Sequence, residues 1–296
     1  MDILYISHFL NGFLMIAMPI ALAIFLTRRF RLGWRLWAIG LAGFIISQIG
    51  HIPFNALLTQ LFQRDILPSP PESWSPYFNP IVLGLSAGLW EELTRAGIFR
   101  WWATDARSWR KAVLFGAGWG GIEAIILGIL VLVSYASMVV MRGMDLSTLI
   151  PPAQLELAQS QIDTYWSMAW PTTLLGALER ALTIPLHIAF SVIVLQAFTR
   201  KNPIWVWLAV FFHALVDALA VYFATQWRAE PWGIYATEGV IAVLTVIALV
   251  IIFALRQPEP VVVEEVLPIV EPPPATPPST PREVTEEDLD SSRFTS

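Results

Sequence analysis

The stretch Gly84–Trp102, GLSAGLWEELTRAGIFRWW, sets two adjacent carboxylates, Glu91 and Glu92, and the guanidinium of Arg95 inside a run that otherwise reads as membrane helix. An ionisable side chain at mid-bilayer costs at least about 2.5–3.5 kcal/mol on insertion scales, so each is a candidate functional group. The surrounding composition supports the membrane reading. The chain has 296 residues, 56% hydrophobic and 14% charged, with a mean hydropathy of +0.61. No ordinary soluble domain of this length tolerates such a surface.

A hydrocarbon core about 30 Å thick needs about 20 apolar helical residues. Seven stretches qualify, near 3–26, 36–62, 80–101, 112–140, 171–198, 204–224 and 234–255. The expected fold is therefore all-α, a polytopic bundle of about seven transmembrane helices. Eleven Arg and Lys residues follow the first, third, fifth and seventh stretches, against Arg64, Arg142 and Arg228 in the opposite loops. This bias predicts the N-terminus outside and the C-terminus in the cytoplasm. The first span has neither a basic lead nor a small-residue cleavage site and reads as an uncleaved helix.

Residues 1–256 form the expected transmembrane domain, and 257–296, rich in Pro and Glu, reads as a disordered cytoplasmic tail. The net charge is −5, yet the last 40 residues hold nine acids against Arg282 and Arg293, a balance of −7. The remainder is thus +2 by subtraction, as suits a body facing anionic lipid. The outer loop 141–170 contains PPAQLELAQSQIDTYW, a segment of helix-forming composition read either as a plain connector or as an interfacial lid. The chain has no cysteine, which excludes disulfides and thiolate metal sites. Neither a glycine-rich phosphate loop nor a basic nucleic-acid patch occurs, so the expected partners are the lipid bilayer and a membrane-associated peptide or protein, with no nucleic acid.

Polar residues recur inside the other spans: His51 and Asn55 in the second, Glu123 in the fourth, Glu179, Arg180 and His187 in the fifth, His213 and Asp217 in the sixth. The first and last hold only His8 and Glu238 near their ends. At about 1.5 Å of rise per residue, the inner set spans roughly 14–23 Å of depth from the cytoplasmic side. Five helices thus bring polar groups to overlapping levels. Within helices, Glu91 and Arg95, His51 and Asn55, and His213 and Asp217 are i, i+4 pairs on one face. Glu179 and Arg180 point about 100° apart, so each needs a partner on another helix. Glu123 could partner Arg180 or take part in catalysis, and His8 reads as interfacial.

These motifs resemble those of glutamic intramembrane proteases, most closely the YhfC-type membrane peptidases, with the related PrsW-type and CAAX-processing families. The first motif is EExxK in PrsW-type and EExxxR in CAAX-type proteins; here it is EELTR, Glu91 to Arg95. The second, FxxxE, is similar to WGGIE, with Trp119 in place of phenylalanine and Glu123 as the acid. The third, HxxxD or HxxxN, is matched by HALVD, His213 to Asp217. The segments ERALTIPLH and HIPFN resemble the YhfC type further, over roughly residues 1–255.

The resemblance implies an intramembrane endopeptidase, a glutamic-type peptidase of the bacterial cell membrane, in which a glutamate and a histidine activate a water. Glu91, Glu92, His187 and His213 are the implied catalytic residues. Glu92 is taken as the base and Glu91 as its partner, the two sharing one proton. His187 fills the histidine role that CAAX-type enzymes place where this chain has Glu123. His213 with Asp217 would hold the scissile carbonyl or its oxyanion. Arg95, Glu123, Asp217, His51, Asn55 and Glu179 are the implied supporting residues. No HExxH or other tight ligand pair is present, so no metal or other cofactor is expected. A proton-coupled transporter or channel is the competing class, and an inactive membrane-protein binder a third.

Overall fold

A computed structural model describes residues 3–258 and Glu286. Among the described residues eight α-helices follow one another: α1 Ile3–Phe30, α2 Arg35–Gln63, α3 Ser75–Trp101, α4 Trp109–Arg142, α5 Pro152–Ser167, α6 Leu175–Thr199, α7 Ile204–Gln226 and α8 Gly233–Ala254. No strand occurs among the described residues. Every one but α5 corresponds to an expected span. Lipid offers the backbone no hydrogen-bond partners, so a spanning segment must satisfy its own N–H and C=O groups, as a helix does. The expected tail beyond Pro258 lies, Glu286 apart, outside the described residues.

Six helices, all but α3 and α5, are long and apolar enough to cross a membrane. With 27 residues α3 has the length, but Glu91, Glu92, Arg95 and Arg100 interrupt its hydropathy. It gains its place through neighbours, packing most extensively on α7 and also on α2 and α6. α4 lies against α1, α6 and α2. Its segment 112–121 is buried throughout, as is most of α6 from Ile184 to Gln196. Between helices in lipid, close packing and polar contacts replace the hydrophobic drive, which suits the glycines of GAGWGG at this centre.

Trp34, Trp74, Trp101, Trp102, Trp170 and Trp232 stand exposed at or beside helix ends, the placement of interfacial anchors. One local expectation changes. The loop 141–170 is more than a connector, because α5 buries Ile162 and Trp166 against Tyr5, Tyr135 and Met138. His8, near the end of its span, is buried and stacked on Tyr165 with ring centroids 4.0 Å apart.

Candidate functional site

The site begins where α3 meets α7. Gly88 lets the two backbones close, since a β-carbon there would stand 2.6 Å from Val210 O. One turn further along α3, Glu91 and Glu92 point to different neighbours, as consecutive helical residues must. Glu92 turns toward α7, its Oε1 accepting from His213 Nδ1 at 2.8 Å. Its Oε2 faces Arg95 Nε at 3.0 Å, and both side chains are fully buried. Glu91 instead accepts from Trp119 Nε1 of α4 at 2.9 Å and from Gln48 Nε2 of α2 at 3.1 Å. The adjacent carboxylates therefore have separate partner sets and do not share one site.

Arg95 ties these helices to α6. Its Nη1 donates to the backbone oxygen of His187 at 2.8 Å and to Ser191 Oγ. Its guanidinium lies 4.2 Å from the centre of the Trp119 ring, a cation–π contact that a phenylalanine would give more weakly. The tryptophan also supplies the indole N–H that holds Glu91, which phenylalanine lacks.

His187 is held on one edge of its ring and faces a second carboxylate on the other. Nε2 is 2.6 Å from Glu123 Oε2, and the same carboxylate accepts from Arg180 Nη1 at 2.6 Å through Oε1. Nδ1 is buried without a hydrogen-bond partner and stands 4.0 Å from Glu91 Oε2. Gly120 makes room for the ring, because a β-carbon there would lie 2.9 Å from His187 Cδ2. Arg180 also reaches back to its neighbour Glu179. Arg180 thus has the expected partner on another helix, Glu123 of α4, whereas Glu179 pairs within its own helix because the long guanidinium arm spans the angle between them.

His213 completes the centre. Its ring stacks on Phe190 of α6 at 4.3 Å and lies 5.8 Å, edge to face, from His187. Nε2 is 3.6 Å from Asp217 Oδ2. On α2, Asn55 Nδ2 meets His51 Nε2 at 2.9 Å, and His51 also contacts Ser86 and Gln48. A cavity of about 320 Å³ opens among these helices, lined by His51, Asn55, Glu123, His187, His213 and Asp217 with apolar neighbours. Glu179 also borders it, whereas Glu91 and Glu92 do not. Each α3 carboxylate stands within reach of one cavity-lining histidine.

The ten residues implied as catalytic or supporting thus fall in one connected polar cluster. Sequence reasoning missed Gln48 and Ser191, whose amide and hydroxyl resemble many polar side chains in apolar helices. Ser191 lies four residues after His187 and could have been found as an extension of that face.

The donors available to a metal ion are few. Glu92 and Glu123 have both oxygens committed to Arg and His partners. At His187 only Nδ1 is without a hydrogen-bond partner, since the facing Glu91 Oε2 already accepts from Trp119 Nε1, which leaves the set short of the three protein ligands of a catalytic zinc site. Among the described residues no group of three or more His, Asp or Glu side chains is arranged to hold a metal.

Comparison with known proteins gives two matches. The model of a family described as YhfC intramembrane metalloprotease matches residues 14–244. A Bacillus subtilis (strain 168) protein described as uncharacterized membrane protein YhfC is 25% identical over 228 residues, covering 72% of this chain and 83% of the relative. No solved structure matches the chain.

Proposed function

This chain belongs to the YhfC intramembrane metalloprotease family, and from that premise we propose that it hydrolyses a peptide bond of a membrane-associated substrate with a water activated by glutamate and histidine. It is an integral membrane protein, with six helices long and apolar enough to cross a bilayer and a bacterial membrane relative. The family description implies a metal ion, which the single unpartnered donor at His187 does not fit. Catalysis is therefore assigned to the side chains alone.

The observation that carries the reading is the 4.0 Å separation of Glu91 Oε2 and His187 Nδ1. Two acceptors at that distance can each take one hydrogen of a single water. With Nε2–H donated to Glu123, His187 presents the Nδ1 lone pair, and Arg180 fixes Glu123. The water oxygen attacks the scissile carbonyl carbon while its proton passes to Glu91. His213, when protonated on both nitrogens, donates from Nε2 to the developing oxyanion. The intermediate then collapses, the C–N bond breaks, and Glu91 returns the proton to the leaving nitrogen.

The roles expected of the two glutamates are thereby exchanged. Glu92, with no exposed surface and both oxygens held by Arg95 and His213, serves as the fixed counter-charge. Glu91 has its Oε2 turned to His187 and serves as the base.

The test compares membrane peptides, by mass spectrometry, in cells carrying wild type or Glu91→Gln. At least one cleaved species should depend on the wild-type residue; if no species differs, the peptidase reading fails. Cleavage by purified protein should survive exhaustive chelation. Loss on chelation, with recovery on adding stoichiometric zinc, would instead overturn the metal-free mechanism.

A further inference from the structure

A second and larger cavity, of about 990 Å³, lies among α1, α4, α6, α7 and α8. It shares Glu179, Arg180, Ala220, Val221 and Ile241 with the cavity that holds His187 and His213. The two spaces therefore have a common wall, and the wall contains the guanidinium that fixes Glu123. A pocket of this size sits at the upper end of the range for specific ligands, about 300–1,000 Å³.

Glu238, on the second turn of α8, lines the larger cavity and is 8% exposed. Its Oε2 is buried without any hydrogen-bond partner. Leaving a buried acceptor unsatisfied is costly, and more so for a carboxylate. Arg180, in the shared wall, already contacts both Glu123 and Glu179, and Arg228 and Glu230 line the larger cavity as well. Two carboxylates thus share the Arg180 guanidinium, and Glu238 lines the same cavity. The position in sequence made Glu238 an end-of-span residue, but in the fold it faces an interior space.

We propose that Glu238 is a specificity-determining residue, and that the larger cavity receives a basic side chain, lysine or arginine, from the substrate segment that runs into the catalytic cavity. The chemistry is complementary. A long basic side chain lays its methylenes along apolar walls while its head reaches a polar partner, and the walls here include Met15, Leu127, Leu130 and Ile241. Its charged donor would fill the open valence of Glu238 and offset the acid surplus beside Arg180. The inference rests on the peptidase reading for the identity of the ligand as substrate.

Binding tests it independently of cleavage. Fluorescently labelled apolar helical peptides, carrying one lysine at successive positions or norleucine instead, are titrated into purified full-length protein in detergent. The wild-type protein should bind one lysine register about tenfold more tightly than the norleucine peptide. In Glu238→Gln, whose thermal melt is recorded alongside, that preference should fall below about twofold. Equal binding of all peptides by wild type, or an undiminished preference in Glu238→Gln, would overturn the proposal; because only the ligand changes in the first comparison, misfolding cannot produce that result. Lysine-selective binding without cleavage would count against the peptidase reading and leave the subsite standing.

Discussion

His187 Nδ1 and Glu91 Oε2 face each other across 4.0 Å from α6 and α3, while the opposite edge of the imidazole rests on Glu123 at 2.6 Å. One ring thus stands between two carboxylates from two other helices. Each contact can be broken separately, so the roles assigned to them can be told apart.

The two neighbouring glutamates should respond differently to the same chemical change. Glu91→Gln keeps an oxygen for the Trp119 indole and should fold with at most about 1 kcal/mol lost, while proteolysis falls by about 10²–10⁴-fold. Glu92→Gln removes the carboxylate that neutralises fully buried Arg95, an event that costs about 3–5 kcal/mol when one partner of a buried pair is lost. Thermal melts in detergent, read beside turnover of one substrate, separate the outcomes. A well-folded Glu92→Gln enzyme with unaltered melt would contradict the counter-charge role.

Glu123→Gln should leave the fold near wild type and lower kcat. The amide can still accept from Arg180, but it no longer fixes which nitrogen of His187 carries the proton. By analogy with other carboxylate–imidazole pairs, about 10²-fold or more of kcat should be lost. Steady-state kinetics over a range of substrate concentration would show it, and an unchanged kcat would remove Glu123 from the mechanism.

Gly120→Ala tests the position of the ring without touching any polar group. The new β-carbon would meet His187 Cδ2 at 2.9 Å, so the imidazole must shift relative to Glu91. A displacement on the scale of 1 Å can cost up to about 10²-fold in rate. Alanine at Gly239, where no atom lies within 4 Å, should leave turnover as it is and serves as the control.

Stability should also carry a small acid-dependent part outside the spans. Asp105, in the connection between α3 and α4, accepts from Arg35 Nη1 at 2.8 Å and from Lys111 Nζ at 3.3 Å. The Arg35 hydrogen bond, reinforced by Lys111 and opposed by partial burial, holds its carboxyl below the ordinary carboxylate value. A lowered folded-state value means stability that is present above the unfolded pKa, about 3.9, and lost as pH falls through the folded one. Asp105 is half exposed, so the contribution is under about 1 kcal/mol. Asp105→Asn should melt slightly below wild type at neutral pH and converge with it in acid. A gap that persists unchanged at low pH would rule the ion pair out as its source.

The sequence by itself determined the helices and what lies along each one. Lipid forces a spanning backbone to satisfy its own hydrogen bonds, so apolar length reveals the element, and the fixed helical rise and turn place His51 beside Asn55 and His213 beside Asp217. The same regularity made α3 legible as a helix despite its charges. Tertiary structure decided every pairing between helices: Glu92 with His213, Glu123 with His187, and Glu91 with Trp119 and Gln48. Those contacts depend on how each helix is rotated about its axis and how closely its neighbour approaches, as at Gly88 against Val210. Rotation and approach are set by packing between residues far apart in the chain, a quantity no local spacing contains. For that reason the two glutamates looked equivalent in the sequence, and Glu238 looked like the end of a span, until the helices around them were in place.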